Sequence, residues 1–271
     1  MTKLIGFQGE RGAYSEIAAK EYDSSAKLLP FVNFVDVFEG VENGKLDLGI
    51  VPIENSLEGP VTTVNDLLVE TNLKIVGEIK IQIRHNLLVL QGVNFEQVHC
   101  VYSHPQALAQ CRDFLIKNNL EQRPYYDTAG SAKMLFETKQ ETASVIASKL
   151  SAKLYNLKIL KENIADNEFN KTRFVVLSKK FAEEQGNKCS IIFCTHHKTG
   201  ALFSVLKIFA EANVNLTRIE SRPIRKKPNE FAFFLDFQGC DKDKKIIGLL
   251  DEVKNETLMF KFLGCYKEWT E

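Results

Sequence analysis

Up to about residue 178, short apolar runs alternate with stretches in which apolar residues recur every three or four positions. Short apolar runs are typical of buried strands, and the three-to-four spacing is typical of amphipathic helices. The predicted strands are KLIGFQ, LDLGIVPI, CVYS, PYYD and SVIA, and the predicted helices are Ser15 to Tyr22, Val64 to Glu70, Pro105 to Lys117 and Ser148 to Leu157. This alternation predicts an α/β fold with a mostly parallel sheet.

A longer stretch, Lys74 to Leu90, follows a period of two. A strand of that length can leave one lobe and enter a second, and the stretch from Lys158 to Thr172 would carry the chain back. Two crossings between α/β lobes leave a central cleft, where small ligands usually bind. We therefore expect a two-lobed domain over 1–181, with lobe 1 at about 1–80 and 160–181 and lobe 2 at about 81–159.

A polar segment, KKFAEEQGNK at 179–188, precedes a shorter unit that we expect to form a domain over 189–271. Its pattern predicts strands at CSIIFCTH, LTRIESR, FAFFLDF and MFKFLGC, helices after the first and third of these, and a turn at RKKPNE. The order βαββαβ is the ferredoxin-like plan.

Composition narrows the classes of function. The 271 residues contain 35 Lys and Arg and 35 Asp and Glu, so no overall field attracts the protein to nucleic acid or to anionic lipid. No apolar run approaches the ~18 residues that a transmembrane helix needs. The first residues, MTKLIGFQGE, do not resemble a secretory signal, so we expect a cytoplasmic protein. The six cysteines include no CxxC pair, and we expect no metal site.

Four strand-to-helix junctions are rich in polar and small residues: GFQGERGAYSE, PIENSLEGPV, YSHPQAL and DTAGSA. Backbone N–H groups and the positive dipole end make each helix start a potential carboxylate site. A single junction of this kind is ordinary capping, but four of them in one two-lobed region predict a site for a small anionic molecule. The sequence has no nucleotide fingerprint and no nucleophile-and-base motif, which favours chemistry driven by binding and electrostatics.

The strand NKTRFVVLS, residues 170–178, opens with four donor-rich side chains before its apolar centre. A strand end that emerges into solvent explains such a pattern in an isolated segment. A strand end that faces a ligand cleft explains it equally well in a two-lobed protein. If the strand is regular, Thr172 and Phe174 share one face and Arg173 points to the other.

These motifs together resemble the prephenate dehydratase family. The resemblance rests on GxxGAYSExAA at Gly9 to Ala19, PIENSLEGPV at Pro52 to Val61, SHPQAL at Ser103 to Leu108, DTAGSA at Asp127 to Ala132 and NKTRF at Asn170 to Phe174. It implies a periplasmic-binding-protein-like catalytic domain that converts prephenate to phenylpyruvate, with loss of water and carbon dioxide and without a cofactor. No segment that could be the chorismate mutase of some relatives is expected.

The resemblance also assigns roles to residues. It makes Thr172 the catalytic residue, as a hydrogen-bond donor to the leaving hydroxide. Candidate substrate contacts at helix starts and strand ends are Asn55, Ser56, Ser103, Gln106 and Thr128. Phe174 lies beside the substrate ring or is a core residue. Arg173 binds a substrate carboxylate only if the backbone is irregular there, and otherwise it braces neighbouring loops.

The second unit resembles an ACT regulatory domain, with TGAL at Thr199 to Leu202 and NLTRIESRP at Asn215 to Pro223. In this family the two stretches come from different subunits and enclose L-phenylalanine, which implies a homodimer or a dimer of dimers inhibited by that amino acid. The implied effector residues are Gly200, Ala201, Leu202, Asn215, Leu216, Glu220, Ser221, Arg222 and Pro223.

Other interpretations are open at this point. The GAYSE form, in place of the commoner GTFSE, is similar to arogenate dehydratases. The two-lobed region is also compatible with a non-enzymatic small-molecule binding protein or an amino-acid sensor.

Overall fold

The computed structural model describes residues 2–224 and 230–270, so most of the predicted RKKPNE turn lies outside the described residues. The strands are β1 (Leu4–Gln8), β2 (Lys27–Phe31), β3 (Leu48–Asn55), β4 (Gly59–Pro60), β5 (Lys74–Gln82), β6 (Asn86–Val89), β7 (Cys100–Ser103), β8 (Glu121–Pro124), β9 (Ala143–Ala147), β10 (Lys158–Lys161), β11 (Lys171–Ser178), β12 (Lys188–Cys194), β13 (Leu216–Pro223), β14 (Phe231–Gln238) and β15 (Met259–Tyr266). The α-helices are α1 (Tyr14–Tyr22), α2 (Phe34–Glu42), α3 (Thr62–Glu70), α4 (Pro105–Ala109), α5 (Arg112–Lys117), α6 (Thr128–Thr138), α7 (Lys149–Leu154), α8 (Ala201–Glu211) and α9 (Lys244–Glu256). None of these helices is long and apolar enough to cross a membrane.

The first sheet has the strand order β2-β1-β3-β11-β5, and with its helices we call it lobe 1. Strands β1, β2 and β3 are parallel, whereas β11 runs antiparallel to both β3 and β5. Strand β11 is therefore central, with Val175, Val176 and Leu177 fully buried. The α/β fold with two lobes is confirmed.

The second sheet has the order β10-β6-β9-β7-β8 and forms lobe 2. The predicted long strand from Lys74 to Leu90 is two strands, since β5 ends at Gln82 in lobe 1 and β6 begins at Asn86 in lobe 2. Strand β10 pairs antiparallel with β6 before the chain returns to lobe 1 through β11. The chain therefore crosses between the lobes twice, at 83–85 and at 162–170.

The C-terminal unit is a four-stranded antiparallel sheet in the order β13-β14-β12-β15, which confirms the βαββαβ plan. Helices α8 and α9 cover one face, where Val205, Phe209 and Leu249 pack on Phe193 and Phe237. Apolar residues at helical spacing meet alternate residues of the strands, so each element buries the face that its sequence pattern predicts.

The other face of this sheet packs directly on lobe 1. Ile192, Phe234 and Tyr266 belong to the same apolar core as Val175 and Leu177. At Gly264 the backbone φ is +150°, and a Cβ there would overlap the carbonyl oxygen of Ile75. Only glycine permits this close approach between β15 and β5. The two sequence units thus share one core, and the polar segment at 179–188 does not separate independent bodies.

A buried ionic cluster joins the same two units. The guanidinium of Arg173 contacts Glu54 (2.7 Å), Glu78 (2.9 Å) and Asp236 (2.7 Å). Glu78 also accepts from Lys188 (3.0 Å). Burial alone would raise the pKa of Asp236, but the charges of Arg173 and Arg218 outweigh it and hold that pKa below its usual range. The carboxylate is therefore ionised and paired at neutral pH.

We expect Asp236→Asn to lower the free energy of unfolding by about 3–5 kcal/mol at pH 7, because it leaves Arg173 buried with one partner fewer. The folded pKa of Asp236 lies below its unfolded value, so its stabilisation is full above about pH 4 and is lost as the pH falls through the folded pKa. Denaturant titrations of both proteins at several pH values should show the gap closing only in acid.

The matched control is Glu162→Gln, which breaks an exposed pair with Lys149 (2.7 Å). Exposed pairs contribute about 0–1 kcal/mol. Equal losses of stability in the two variants would contradict a special role for the buried cluster.

Candidate active site

A cleft of about 490 Å³ lies between the two lobes, at the carboxyl ends of β3, β7 and β8. Ligands of open α/β sheets usually bind at such strand ends. The cleft is lined from lobe 1 by residues that include Gln8, Phe34, Asn55, Thr62 and Thr63, from lobe 2 by His104, Gln106, Gln110, Asp127 and Thr128, and from the crossings by Ile83, His85 and Asn170. Among the described residues that line it, none is a lysine or an arginine.

Thr172 and Phe174 both line the cleft from the start of β11. The Thr172 hydroxyl accepts a hydrogen bond from the Asn55 amide, Nδ2 to Oγ1 at 2.9 Å. A hydroxyl has a single proton to donate, and the structure records no protein acceptor for it within 2–224 and 230–270. With its oxygen held by Asn55, Thr172 can direct that proton to a ligand.

Gln106 and Thr128 line the cleft from the first turns of α4 and α6. Helix α6 is capped by Asp127, whose side chain accepts from the Gly130 amide at 2.8 Å. Burial raises the pKa of the Asp127 carboxyl. The Asp127 carboxylate therefore already occupies the positive dipole end of α6 beside Thr128.

Two predicted substrate contacts lie outside the cleft. Ser103 is fully buried and donates to the Ile146 carbonyl at 2.7 Å, so its hydroxyl supports the lobe 2 sheet. The Ser56 hydroxyl donates to the Phe169 carbonyl (2.8 Å) and accepts from the Lys171 amide (2.9 Å), so it ties a loop of lobe 1 to the returning crossing. The geometry corrects both predictions, because neither hydroxyl faces the cleft.

The structure also decides between the two readings of Arg173. Strand β11 pairs with β5 in regular register through this position, so Arg173 points away from Thr172 and Phe174. The bulge beside it belongs to β3, where Ile53 is the extra residue. With 4% of its side chain exposed and three carboxylates around it, Arg173 braces the interface with the C-terminal unit and does not bind a substrate in the cleft.

Sequence reasoning did not assign several polar residues that the structure brings to the cleft, among them Tyr14, His85, Gln110 and Asn170. His85 Nε2 lies 2.9 Å from Gln110 Oε1, and burial lowers the pKa of the imidazole. Tyr14 and Asn170 lie within the GAYSE and NKTRF motifs, so the sequence did contain a signal that could have identified them as cleft residues. Gln110 carried none, since it lies within a helix that was predicted to continue to Lys117.

The predicted effector residues lie on two elements of the C-terminal unit. Gly200 caps α8 with a left-handed backbone (φ +82°), and Ala201 and Leu202 follow in the first turn. Asn215 precedes β13, and Leu216, Glu220, Ser221, Arg222 and Pro223 lie along it. Two of these side chains contact helix α3 of lobe 1: Arg222 pairs with Asp66 (2.8 and 3.0 Å), and Glu220 accepts from Asn65 (3.4 Å).

No group of three or more histidine, cysteine, aspartate or glutamate side chains that could hold a metal occurs among the described residues.

Comparison with known proteins identifies both units. The family model for prephenate dehydratase matches residues 5–182, and the model for the ACT domain matches residues 190–255. A curated relative, prephenate dehydratase of Methanocaldococcus jannaschii, is 41% identical over 98% of each chain.

Two solved structures share the whole architecture. One, described as a prephenate dehydratase of Arthrobacter aurescens in complex with L-Phe, has a TM-score of 0.89 at 30% identity, covering 97% of this chain and 89% of its own. The other, described as GqqA, a novel type of quorum quenching acylase, has a TM-score of 0.91 at 32% identity, covering 98% of each chain. From the family matches and the relative that is similar along its whole length, we conclude that this chain belongs to the prephenate dehydratase family and carries an ACT domain.

Proposed function

We propose that this protein converts prephenate to phenylpyruvate in the cleft, with Thr172 as the catalytic residue. The observation that supports this best is the Thr172 hydroxyl, whose oxygen is held by Asn55 and whose proton is left for a ligand. The reaction expels a hydroxide from one end of the substrate ring and a carboxylate from the other, and the ring becomes aromatic. A fixed donor at the departing oxygen stabilises the charge that develops there.

The electrons for the reaction come from the bond between the ring and its carboxylate. As that bond breaks, carbon dioxide leaves, its electron pair enters the ring, and the bond to the hydroxyl oxygen breaks with its own pair. Thr172 donates a hydrogen bond to this oxygen, and the hydroxide takes up its second proton after it leaves. A threonine hydroxyl does not transfer its proton fully near neutral pH, so its role is electrostatic.

The absence of lysine and arginine from the described cleft lining suits this chemistry. A carboxylate without a cationic partner loses little electrostatic stabilisation when it becomes neutral carbon dioxide. The substrate is nevertheless a dianion, and neutral donors must hold its other carboxylate. The start of α3 at Thr62 and Thr63, which has no side-chain cap among the described residues, supplies backbone N–H groups for this purpose.

We expect Thr172→Ala to lower kcat by about 10²–10³-fold while KM changes little, because the donor acts mainly in the transition state. Thr172→Ser keeps the hydroxyl and should retain part of the rate. Steady-state formation of phenylpyruvate measures both parameters.

The shape-matched control is Thr172→Val, which keeps the branched side chain without the hydroxyl. Wild-type kcat in this variant would contradict the donor role, and circular dichroism should show that all three variants are folded.

Regulation by L-phenylalanine is the second part of the proposal. The predicted effector strand β13 contacts helix α3 through the pairs Arg222–Asp66 and Glu220–Asn65. The first residues of α3, Thr62 and Thr63, line the cleft. An effector that favours one position of β13 would therefore shift α3 and the cleft wall, which requires a difference in affinity between the two states.

We expect Gly200→Val to weaken L-phenylalanine binding, since a β-branched residue does not fit a backbone φ of +82° at the start of α8. Asp66→Asn should leave binding intact but reduce inhibition, because it loosens the contact between β13 and α3. Calorimetry measures effector binding, and kcat measured with and without L-phenylalanine gives the inhibition, so the two effects can be separated. Full inhibition in Asp66→Asn would exclude this route of coupling.

We also propose a homodimer or dimer of dimers and a cytoplasmic location. Strand β13 is an edge of its sheet among the described strands, and an edge can pair with a second copy. Light scattering of the purified protein measures the mass of the assembly.

The alternative functions, arogenate dehydratase, acylase and non-enzymatic binding protein or sensor, differ in the substrate, if any, that each converts. We expect kcat/KM for prephenate to exceed that for arogenate, since a relative that matches over 98% of both chains is a prephenate dehydratase. Assays of both substrates under the same conditions decide this. No turnover of either would favour a binding protein or sensor, and acid release from an N-acylated substrate would favour the acylase activity of the structural neighbour.

A further inference from the structure

A chain of side-chain hydrogen bonds runs through the base of the cleft, and its direction is fixed at one end by the backbone. The amides of Leu57 and Glu58 both donate to Asn55 Oδ1 (3.0 Å each). Backbone N–H groups can only donate, so this side of the Asn55 amide must be its oxygen. Its Nδ2 therefore donates, and the acceptors are Asn170 Oδ1 (2.7 Å), Thr172 Oγ1 (2.9 Å) and, at a longer distance, the Lys171 carbonyl (3.3 Å).

The other end of the chain requires the same direction independently. The Glu58 carboxylate lies 3.2 Å from Gln110 Nε2, and an ionised carboxylate can only accept. Gln110 therefore turns its oxygen toward Asn170, whose Nδ2 donates to it at 2.9 Å. The two anchors lie on opposite sides of Asn170, and both require its oxygen to face Asn55 and its nitrogen to face Gln110.

We propose that Asn170 is a positioning residue for Thr172, because it completes a one-way hydrogen-bond chain that holds the Thr172 hydroxyl as a donor into the cleft. Asn170 is fully buried, so water does not replace its amide. If the Asn170 amide were flipped, its nitrogen would face Asn55 Nδ2 and its oxygen would face Gln110 Oε1, and neither hydrogen bond could form. The direction of the Asn55 amide, and with it that of the Thr172 proton, is thus supported from lobe 2 through Gln110.

The chain also fixes the state of His85. Gln110 Oε1 is an acceptor, so the Nε2 atom of His85 at 2.9 Å must carry the proton. The Nδ1 atom is buried and has no hydrogen-bond partner among the residues that the structure describes. Burial lowers the pKa of His85, which keeps the ring neutral. The Nε2–H tautomer of His85 is therefore a direct consequence of the direction of the chain.

This inference rests on the proposed role of Thr172, but its first test does not depend on catalysis. Nitrogen-15 NMR of the histidine-labelled full-length protein should show a protonated Nε2 and an unprotonated Nδ1 for His85. The signal is assigned through its backbone connectivity or by its loss in His85→Gln, which keeps a donor to Gln110. A protonated Nδ1 in the wild-type protein would overturn the direction of the chain and the proposal with it.

The second test is a double-mutant cycle between Asn170→Asp and Thr172→Val. The aspartate still accepts from Asn55 but cannot donate to Gln110. In the Thr172 background we expect kcat to fall by about 10–100-fold and KM to change by less than about threefold. In the Thr172→Val background, where no hydroxyl needs direction, the same change should lower the single-turnover rate by less than about twofold. Equal factors in both backgrounds would contradict the proposal.

Asn86→Asp is the matched control. Asn86 is also fully buried, next to the crossing at 83–85, but its amide donates to the carbonyls of Arg84 (3.0 Å) and Ala147 (3.2 Å), outside the hydrogen-bond chain. Its effect on kcat should be the same in both backgrounds. A failure of the proposed function has a different signature, because Thr172→Val alone would then keep wild-type kcat whatever the tautomer of His85.

Discussion

The period of two along β11 is the constraint on which the rest of the molecule depends. One face of the strand carries Thr172 and Phe174 to the cleft, and the other carries Arg173 into a cluster with Glu54, Glu78 and Asp236. The carboxylates come from three strands, two in lobe 1 and one in the ACT domain. A buried guanidinium is stable only with such partners, so the charge that joins the domains also fixes the backbone on either side of the Thr172 hydroxyl.

The cleft has no lysine or arginine among its described lining residues, so recognition of the dianion proposed to bind there would depend on neutral donors. Amide side chains and helix starts are dipoles of fixed direction. The strength of their interaction with a ligand therefore depends on how they are aligned, more than on net charge. A chain of amides between two anchors supplies that alignment at Thr172. In the proposed mechanism, these preorganised polar groups would act where charge develops.

Local sequence patterns predicted the parts of the site that follow from local geometry. The shared face of Thr172 and Phe174 follows from strand periodicity alone. At α4, His104 and not Ser103 is the N-cap, because the residue before Pro105 is held in extended backbone and lies outside the helix. Gln110 could not be found this way: its carbonyl accepts from the Asp166 amide (2.8 Å), a bond from the distant crossing that accompanies the end of α4. Likewise, periodicity told which way Arg173 points but not that the ACT domain supplies its partner Asp236.

The shared core has a consequence for recombining these domains. A foreign ACT domain could be joined at the polar segment 179–188, which is mostly exposed between the two sequence units. Such a graft would nevertheless divide the shared apolar core and leave two buried charges, Arg173 and Glu78, without their partners in the ACT domain. A working chimera must carry a matched aspartate and lysine at the positions of Asp236 and Lys188, together with a glycine at the position of Gly264. Exchange of regulatory specificity is therefore expected to proceed by substitution of individual residues within α8 and β13, and not by transfer of whole domains. Substitutions on β13 must keep the contacts of Glu220 and Arg222 with helix α3.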